Sequence, residues 1–252
     1  MKIEIIHIGD ELLSGETDPY PKELIELTRE RGARISMISV VGDDYSDIMR
    51  LMESANDSDV DVLVITGGLG PTLDDITRKV VADYLGTELV VVPEAVEWFR
   101  DSVKRLYGIE MEMKEEFYSM TRVPTGSKAL RNITGTACGI EGEKRSMRLF
   151  CLPGFPKEML PMYKEYVLPK IEREEIYENE VIAFLPECFL EPLFQKVIGK
   201  YEVRISSRPS EKWMEKGTRV ILKGEKEKDI EKATAHLKQL IHESEIGYKQ
   251  ED

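Results

Sequence analysis

Hydrophobic and polar positions along the first 85 residues alternate between two periods. Short runs of branched apolar residues predict strands at 2–8, 33–41 and 60–66. Amphipathic patterns between and after them predict helices at 19–31, 45–56 and 76–85. This alternation is typical of βαβ units, so the sequence predicts an α/β fold with a mainly parallel sheet.

The pattern changes further along the chain. Amphipathic segments predict helices at 93–107 and 111–120, short strands at 128–131, 136–140 and 147–152, and a long helix at 156–175. The last segments predict a β, α, β, β, α order at 181–185, 191–199, 201–206, 218–222 and 226–242. We therefore expect a large domain at 1–176 and a small α+β module at 177–252.

The charge of the chain is uneven. It has 48 acidic and 35 basic residues and a formal net charge of -13, yet from Glu187 onward 13 acidic residues balance 13 basic ones. The whole excess lies in residues 1–186, where it repels nucleic-acid backbones and anionic lipids. We expect neither nucleic acid nor a membrane as a partner.

Three cysteines, an odd number without CxxC pairs, favour neither a disulfide framework nor a zinc site. The sequence shows no signal peptide and no apolar stretch long enough to span a bilayer. We expect a cytoplasmic protein with reduced thiols.

A glycine-rich segment, Gly67-Gly68-Leu69-Gly70-Pro71-Thr72, lies between the strand at 60–66 and the helix at 76–85. Its glycines allow backbone amides to approach a ligand closely, and the start of the following helix adds partial positive charge. The segment matches neither the dinucleotide-binding fingerprint nor the P-loop. It indicates a site for a phosphate or a carboxylate.

Acidic pairs follow three predicted strands: Asp10-Glu11, Asp43-Asp44 and Asp74-Asp75. Parallel strands end at one edge of a sheet, where α/β proteins bind ligands, so these pairs are expected to surround one crevice. A divalent cation that bridges substrate phosphates would relieve their repulsion. The alternative is that each pair only caps its own helix.

Several motifs together resemble one known family. They are Gly9-Asp10-Glu11-Leu12-Leu13-Ser14-Gly15, the glycine-rich segment with Asp74-Asp75-Ile76-Thr77, Gly135-Thr136-Ala137, and Leu152-Pro153-Gly154 with Pro156, Glu158 and Met159. Their order and spacing resemble the competence-damage-inducible protein A (CinA) family, within the MoaB/Mog molybdopterin-binding superfamily. The resemblance spans residues 2–170. One departure is Pro19-Tyr20-Pro21, where relatives usually have an Asn-Thr/Ser-Asn triplet.

The resemblance implies a doubly wound three-layer α/β/α sandwich that binds the phosphate of a pterin such as molybdopterin, or of a nucleotide. The implied ligand-binding residues are Gly9, Gly67, Gly68, Leu69, Gly70, Pro71, Thr72, Thr77, Gly135, Thr136, Pro153 and Gly154. We expect the amides of residues 68–72 to bind the phosphate. Relatives form dimers or trimers, which implies a homo-oligomer. Many also have a C-terminal amidohydrolase domain, which is expected to be absent here.

The CinA resemblance further implies metal-dependent cleavage of a nucleotide diphosphate such as ADP-ribose. The expected catalytic residues are Asp43, Asp74 and Asp75, and the expected ligands of Mg, Mn or Co are Asp10, Glu11, Asp44 and Asp75. Two alternatives stay open. The chain could bind or adenylylate molybdopterin in molybdenum cofactor synthesis, or it could be a binding protein without turnover.

Overall fold

The chain forms two compact units in the computed structural model, Met1–Arg173 and Glu174–Asp252. Residues 1–16, 22–172, 175–210 and 212–250 are described, with the backbone alone for 213–214 and 245–250. Unit 1 contains β1 (Lys2–Ile8), α1 (Asp10–Leu13), α2 (Lys22–Glu30), β2 (Arg34–Val41), α3 (Tyr45–Asp57), β3 (Val62–Thr66), α4 (Thr77–Leu85), β4 (Leu89–Val91), α5 (Pro93–Tyr107), α6 (Glu115–Tyr118), β5 (Arg122–Pro124), β6 (Lys128–Leu130), β7 (Gly139–Lys144), β8 (Met147–Leu152) and α7 (Pro156–Met162). Unit 2 contains β9 (Tyr177–Ala183), α8 (Glu187–Ile198), β10 (Arg204–Pro209), α9 (Trp213–Lys216), β11 (Thr218–Gly224) and α10 (Glu227–Gln250).

The central sheet of unit 1 has the strand order β2-β1-β3-β8-β7-β6. The first four strands are parallel to one another. β7 is antiparallel to β8, and β6 is antiparallel to β7, so β6 runs in the same direction as the first four strands. The α/β fold with a mainly parallel sheet is therefore confirmed. Parallel strands need crossover connections, and here α2, α3 and the segment from α4 to β7 supply them. The carboxyl ends of β1, β2, β3 and β8 consequently meet at one edge.

Helices cover both faces of this sheet. Successive residues of a strand point to opposite faces, so Ile6 and Ile65 join a core with α3, α4 and α5, whereas Ile5 and Val64 join a second core with α2 and α7. All five residues of β3 are buried, as expected for a central strand covered on both sides. The two cores fix the strand ends that approach the candidate site.

Three sequence-based element predictions in unit 1 need correction. The helix predicted at 111–120 is only α6 followed by a 3₁₀ turn at Ser119–Thr121. The strand predicted at 136–140 begins at Gly139 and extends to Lys144. The helix predicted at 156–175 ends as α7 and continues as a π turn at Tyr163–Val167 and a 3₁₀ turn at Leu168–Lys170. Pro161 and Pro169 lack the amide that a regular helix needs there.

Unit 2 has its own sheet and core. Its strand order is β10-β11-β9, and both pairings are antiparallel. Apolar residues of α8 and α10, such as Leu190, Phe194 and Leu237, pack with Val181 and Val220 of the sheet in a single core. An amphipathic helix needs such a partner because local propensity alone stabilises it poorly.

The described residues contain neither a membrane-spanning helix nor a disulfide. None of the helices there is at once long and apolar enough to cross a bilayer. Cys138 and Cys151 are buried free thiols, and Cys188 is an exposed one. Burial raises the pKa of the Cys151 thiol to about 12, so this group stays protonated at neutral pH.

Candidate functional site

The loops after β1 and β2 are joined through their acids. The amide of Asp10 donates to Oδ2 of Asp43 at 3.1 Å, and the amide of Asp43 donates to Oδ1 of Asp10 at 3.3 Å. Gly9 precedes Asp10 and leaves the space that the Glu11 carboxylate fills, since a Cβ on Gly9 would lie 2.5 Å from Glu11 Oε1. The structure therefore brings the first two predicted acidic pairs together.

The glycine loop, residues 67–72, follows β3 and is tightly held. Gly67 and Gly68 have φ values of 97° and 64°, a region that L side chains rarely adopt. A Cβ on Gly67 would lie 2.1 Å from the carbonyl oxygen of Ile8, and one on Gly68 would lie 2.2 Å from Thr77 Oγ1. Both positions therefore require glycine.

The first residue of α4, Thr77, fixes two carbonyl groups of this loop. Its hydroxyl donates to the carbonyl of Gly67 at 2.9 Å, and its amide donates to the carbonyl of Gly68 at 3.2 Å. In a trans peptide the C=O and the following N–H point in opposite directions. The amides of Gly68 and Leu69 consequently point away from α4, and neither has a hydrogen-bond partner among the described residues.

The expectation that every amide of residues 68–72 is available to a phosphate needs correction. The amide of Gly70 donates to Asp75 Oδ1 at 2.7 Å, and the amide and hydroxyl of Thr72 donate to Asp75 Oδ2, the amide at 2.9 Å. Pro71 has no amide hydrogen. The Asp75 carboxylate thus occupies the far half of the loop. The amides of Gly68 and Leu69 have no partner among the described residues, and Leu69 itself is 2% exposed.

Electrostatics link the third acidic pair to the first two. Burial raises the pKa of Asp43, and the negative charges of Asp10, Glu11 and Asp74 raise it further, against the lowering effect of the Asp10 amide. At fully exposed Asp74, hydrogen bonds from Thr72 and from its own amide lower the pKa. All three predicted pairs therefore contribute to one region of negative potential.

These acids do not form a ready metal site. Among the described residues, no three acidic, histidine or cysteine side chains lie close enough together to hold a metal ion. Asp75 already accepts hydrogen bonds on both oxygens, and Asp44 caps α3 by accepting from the Asp47 amide at 2.9 Å. A resident metal held by protein groups alone does not fit this arrangement.

The loop after β8 lies against the glycine loop. The amide of Gly67 donates to the carbonyl of Leu152 at 3.0 Å. Pro153 is buried, and a Cβ on the exposed Gly154 would lie 3.3 Å from the Gly67 Cα. Pro153 and Gly154 thus border the candidate site, although their contact with a ligand stays a prediction.

Gly135 and Thr136 belong to a loop that two further polar residues organise. Asn132 accepts the amide of Gly135 at 2.8 Å and donates to Glu158 Oε2 at 2.6 Å. A Cβ on Gly135 would collide with that carboxylate oxygen, at 1.9 Å. Neither residue was predicted to hold this loop: Glu158 was noted only as part of the motif that follows β8, and the loop itself was marked only by Gly135-Thr136-Ala137.

His7 is a buried neighbour of the glycine loop. It lies on β1 opposite Thr66, and its Nδ1 forms a 2.6 Å hydrogen bond with the Thr66 hydroxyl. Burial lowers the pKa of His7 to about 4, so the imidazole is neutral at physiological pH. It packs in the sheet beneath the site. Pro19-Tyr20-Pro21 lies outside the described residues.

Comparison with known proteins assigns the larger part of the chain to one family. Residues 4–173 match a family model described as a probable molybdopterin binding domain. A protein of Pyrococcus furiosus is 35% identical over 244 residues, which cover 94% of this chain and 96% of that protein.

Two further similarities concern proteins with the CinA name. A putative competence-damage inducible protein of Alkaliphilus metalliredigens is 39% identical over 73% of this chain, which corresponds to 43% of that relative. The crystal structure of CinA from Thermoplasma acidophilum, a protein of unknown function, matches 68% of this chain and 99% of its own with a TM-score of 0.59 and 28% identity. The predicted resemblance is confirmed, and the chain belongs to the family of probable molybdopterin binding domains.

Proposed function

We propose that unit 1 binds a small phosphorylated ligand of the molybdopterin type, with the ligand phosphate on the glycine loop. The observation that supports this most directly is the pair of unpartnered amides at Gly68 and Leu69. Successive backbone amides without partners in a turn form a concave group of donors that binds anions such as phosphate. Membership of the molybdopterin-binding family supports a pterin as the remainder of the ligand.

Rigidity of the loop supports the same proposal. Thr77 holds the carbonyls of Gly67 and Gly68, and Asp75 holds the amides of Gly70 and Thr72. A ligand phosphate would then meet donors that are already oriented, which reduces the entropy lost on binding. The nearby acids Asp10, Glu11 and Asp43 would disfavour anions that approach from their side.

Calorimetric titration with molybdopterin released from a denatured molybdoenzyme, and with its dephosphorylated form, tests the proposal. We expect the phosphorylated form to bind at least about tenfold more tightly, the equivalent of one charge-assisted hydrogen bond. Equal affinity for the two forms, or no binding of either, would refute it.

A matched pair of glycine variants locates the binding. Gly68→Ala places a Cβ against Thr77, whereas Gly86→Ala at the other end of α4 has a similar positive φ and meets no atom within 4 Å. Both variants bear backbone strain of about 1–2 kcal/mol. Only Gly68→Ala is expected to weaken binding of the phosphorylated pterin.

We also propose, as a second candidate, hydrolysis of a nucleotide diphosphate such as ADP-ribose. The observation that favours it is the raised pKa of Asp43, a half-buried carboxylate among Asp10, Glu11 and Asp74. A carboxylate with such a pKa is suited to orient or deprotonate a water molecule. A divalent cation would have to arrive with the ligand phosphates, since magnesium is commonly held by one or two carboxylates plus phosphates.

Release of phosphate from ADP-ribose, coupled to added phosphatase, tests the second candidate with Mg, Mn or Co and with a chelator. Asp43→Asn should abolish turnover, and Asp57→Asn, which changes an exposed acid at the far end of α3, should not. If no nucleotide releases phosphate while the phosphorylated pterin binds, the domain is a binding protein. The adenylylating alternative predicts transfer of AMP from ATP to the bound pterin.

A further inference from the structure

A buried guanidinium lies directly behind the glycine loop. Arg78, the second residue of α4, is 4% exposed. It donates to the carbonyl oxygens of Arg122 at 2.8 Å, Cys138 at 2.7 Å, Met120 at 3.2 Å and Leu69 at 3.3 Å. These oxygen acceptors are all neutral, and Arg78 forms no ion pair with a carboxylate among the described residues.

An unpaired buried cation is unusual because removing a charge from water is costly unless an opposite charge compensates it. Here the backbone carbonyls supply only partial negative charge, and Arg78 Nε has no hydrogen-bond partner. The start of α4 adds further positive potential at the same place. The Arg78 guanidinium and the start of α4 thus create a positive potential behind the unpartnered amides of Gly68 and Leu69, although the chain as a whole has a net charge of -13.

The peptide group between Leu69 and Gly70 is held at both ends. Its carbonyl accepts from Arg78 Nη2, and its amide donates to Asp75 Oδ1 at 2.7 Å. A planar trans peptide held at two opposite atoms cannot rotate without breaking one of the bonds. Together with Thr77, which holds the two preceding carbonyls, Arg78 turns three consecutive carbonyls toward α4.

We propose that Arg78 is a positioning residue for the phosphate site and supplies the positive charge that a bound phosphate neutralises. It acts through the 69–70 peptide: by holding the Leu69 carbonyl, it fixes the end of the segment whose Gly68 and Leu69 amides are oriented through the carbonyls that Thr77 holds. The inference rests on the proposed phosphate-binding function, since it assigns that site its cation.

The ligand-free test measures hydrogen exchange of the Gly70 amide in the complete chain. In Arg78→Met this amide is expected to exchange about tenfold faster or more than in the wild type, while buried amides of β3 keep their protection. This experiment needs no ligand, so it stays informative if the pterin does not bind. Unchanged protection of Gly70 in a folded Arg78→Met variant would overturn the proposal.

The ligand test uses the ratio of the affinities for phosphorylated and dephosphorylated pterin. Arg78→Met should reduce this ratio about tenfold, because the lost charge affects only the phosphate. A purely structural role would weaken both forms equally and overturn the assignment. Arg148→Met is the matched control, since it removes an exposed charge at the start of β8, the end of the strand opposite the site.

Arg78→Lys keeps the test decisive if the methionine variant does not fold. Lysine retains the charge but loses the planar fork that reaches several carbonyls at once. The affinity ratio should therefore stay within about threefold of the wild type, while Gly70 exchanges faster. A lysine variant that loses the ratio completely, or that protects Gly70 fully, would contradict the proposal.

Discussion

The loop after β2 and the loop after β3 contain the same Asp-Asp pair before a helix, yet the pairs behave differently. Asp44 caps α3 by accepting from the Asp47 amide, as the residue type predicts. Asp75 turns back instead and accepts from Gly70 and Thr72, so it organises its own loop.

The difference follows from the residues before each pair. Only Gly42 separates β2 from Asp43, so the acids come directly before their helix. The loop after β3 is longer and begins with two glycines at positive φ, which creates amides that need an acceptor. The same Asp-Asp dipeptide therefore caps a helix in the loop after β2, whereas in the loop after β3 its second carboxylate binds amides of the glycine loop.

The largest effect is expected at the glycines that begin the two loops. Gly67→Ala would bring a Cβ to 2.1 Å from a backbone oxygen that cannot move aside, and it would strain a positive φ. We expect a loss of about 3–5 kcal/mol in the free energy of unfolding and loss of phosphate binding. Chemical denaturation and titration with the phosphorylated pterin measure the two.

Gly42→Ala is the matched change in the loop after β2. Its Cβ would meet Asp10 Oδ1 at 2.3 Å, which is the end of a side chain that can rotate away. The expected cost is about 1 kcal/mol. Equal destabilisation by the two variants would show that the loops are not different in rigidity.

The next effect is expected at the second acid of each pair. Asp75→Asn removes the charge from the hydrogen bonds with Gly70 and Thr72, and its NH₂ group would face one of these two backbone amides, donor against donor. The free energy of unfolding should fall by about 2 kcal/mol, and any turnover should be abolished. Asp44→Asn should change stability by less than about 0.5 kcal/mol, since Asn and Asp cap helices equally well. Thermal unfolding compares them, and a fully stable, fully active Asp75→Asn variant would refute the organising role.

Much of this arrangement could be predicted from local sequence. The apolar runs that form β1 and β3, and the Gly86 that ends α4, follow from periodicity and backbone preference. The meeting of the acidic pairs follows from parallel strands. The role of Asp75 as an acceptor for amides of its own loop could not be predicted in this way. An aspartate can either cap a helix or accept from loop amides, and only the conformation of the loop decides between the two.

The role of Arg78 could not be predicted either. On the sequence it is one more basic residue on an amphipathic helix, which usually indicates solvent exposure. Its partners Met120, Arg122 and Cys138 follow it by more than forty residues. The irregular chain after α5 brings them together, and no local pattern describes that packing. The case of the helix predicted at 156–175 is different, because Pro161 and Pro169 are visible in the sequence, although they do not specify the π turn at Tyr163–Val167.

A smaller effect on stability is expected when the Asp44 cap of α3, in the loop after β2, is removed. Asp44→Ala removes the acceptor of the Asp47 amide and should cost about 1 kcal/mol. Phosphate binding should stay within about twofold of the wild type, since this acid organises a helix and not the glycine loop. A strong loss of binding with little loss of stability would instead place Asp44 in the ligand site.

The smallest change in the free energy of unfolding is expected for a substitution of Asp43. The sign of this change, and its dependence on pH, test the repulsion among the acids. Because burial and the acids Asp10, Glu11 and Asp74 raise the pKa of Asp43 in the folded chain, the folded state holds this proton more strongly than the unfolded state. Its contribution to stability is therefore present below the unfolded pKa of 3.8 and is lost as the pH rises through the folded pKa.

After allowance for solvent screening, Asp43→Asn should stabilise the chain at neutral pH by less than about 0.5 kcal/mol, and this gain should disappear at acidic pH. Denaturation at several pH values measures the difference between variant and wild type, and a variant that is less stable at neutral pH would mean that the hydrogen bond from the Asp10 amide outweighs the repulsion among the acids.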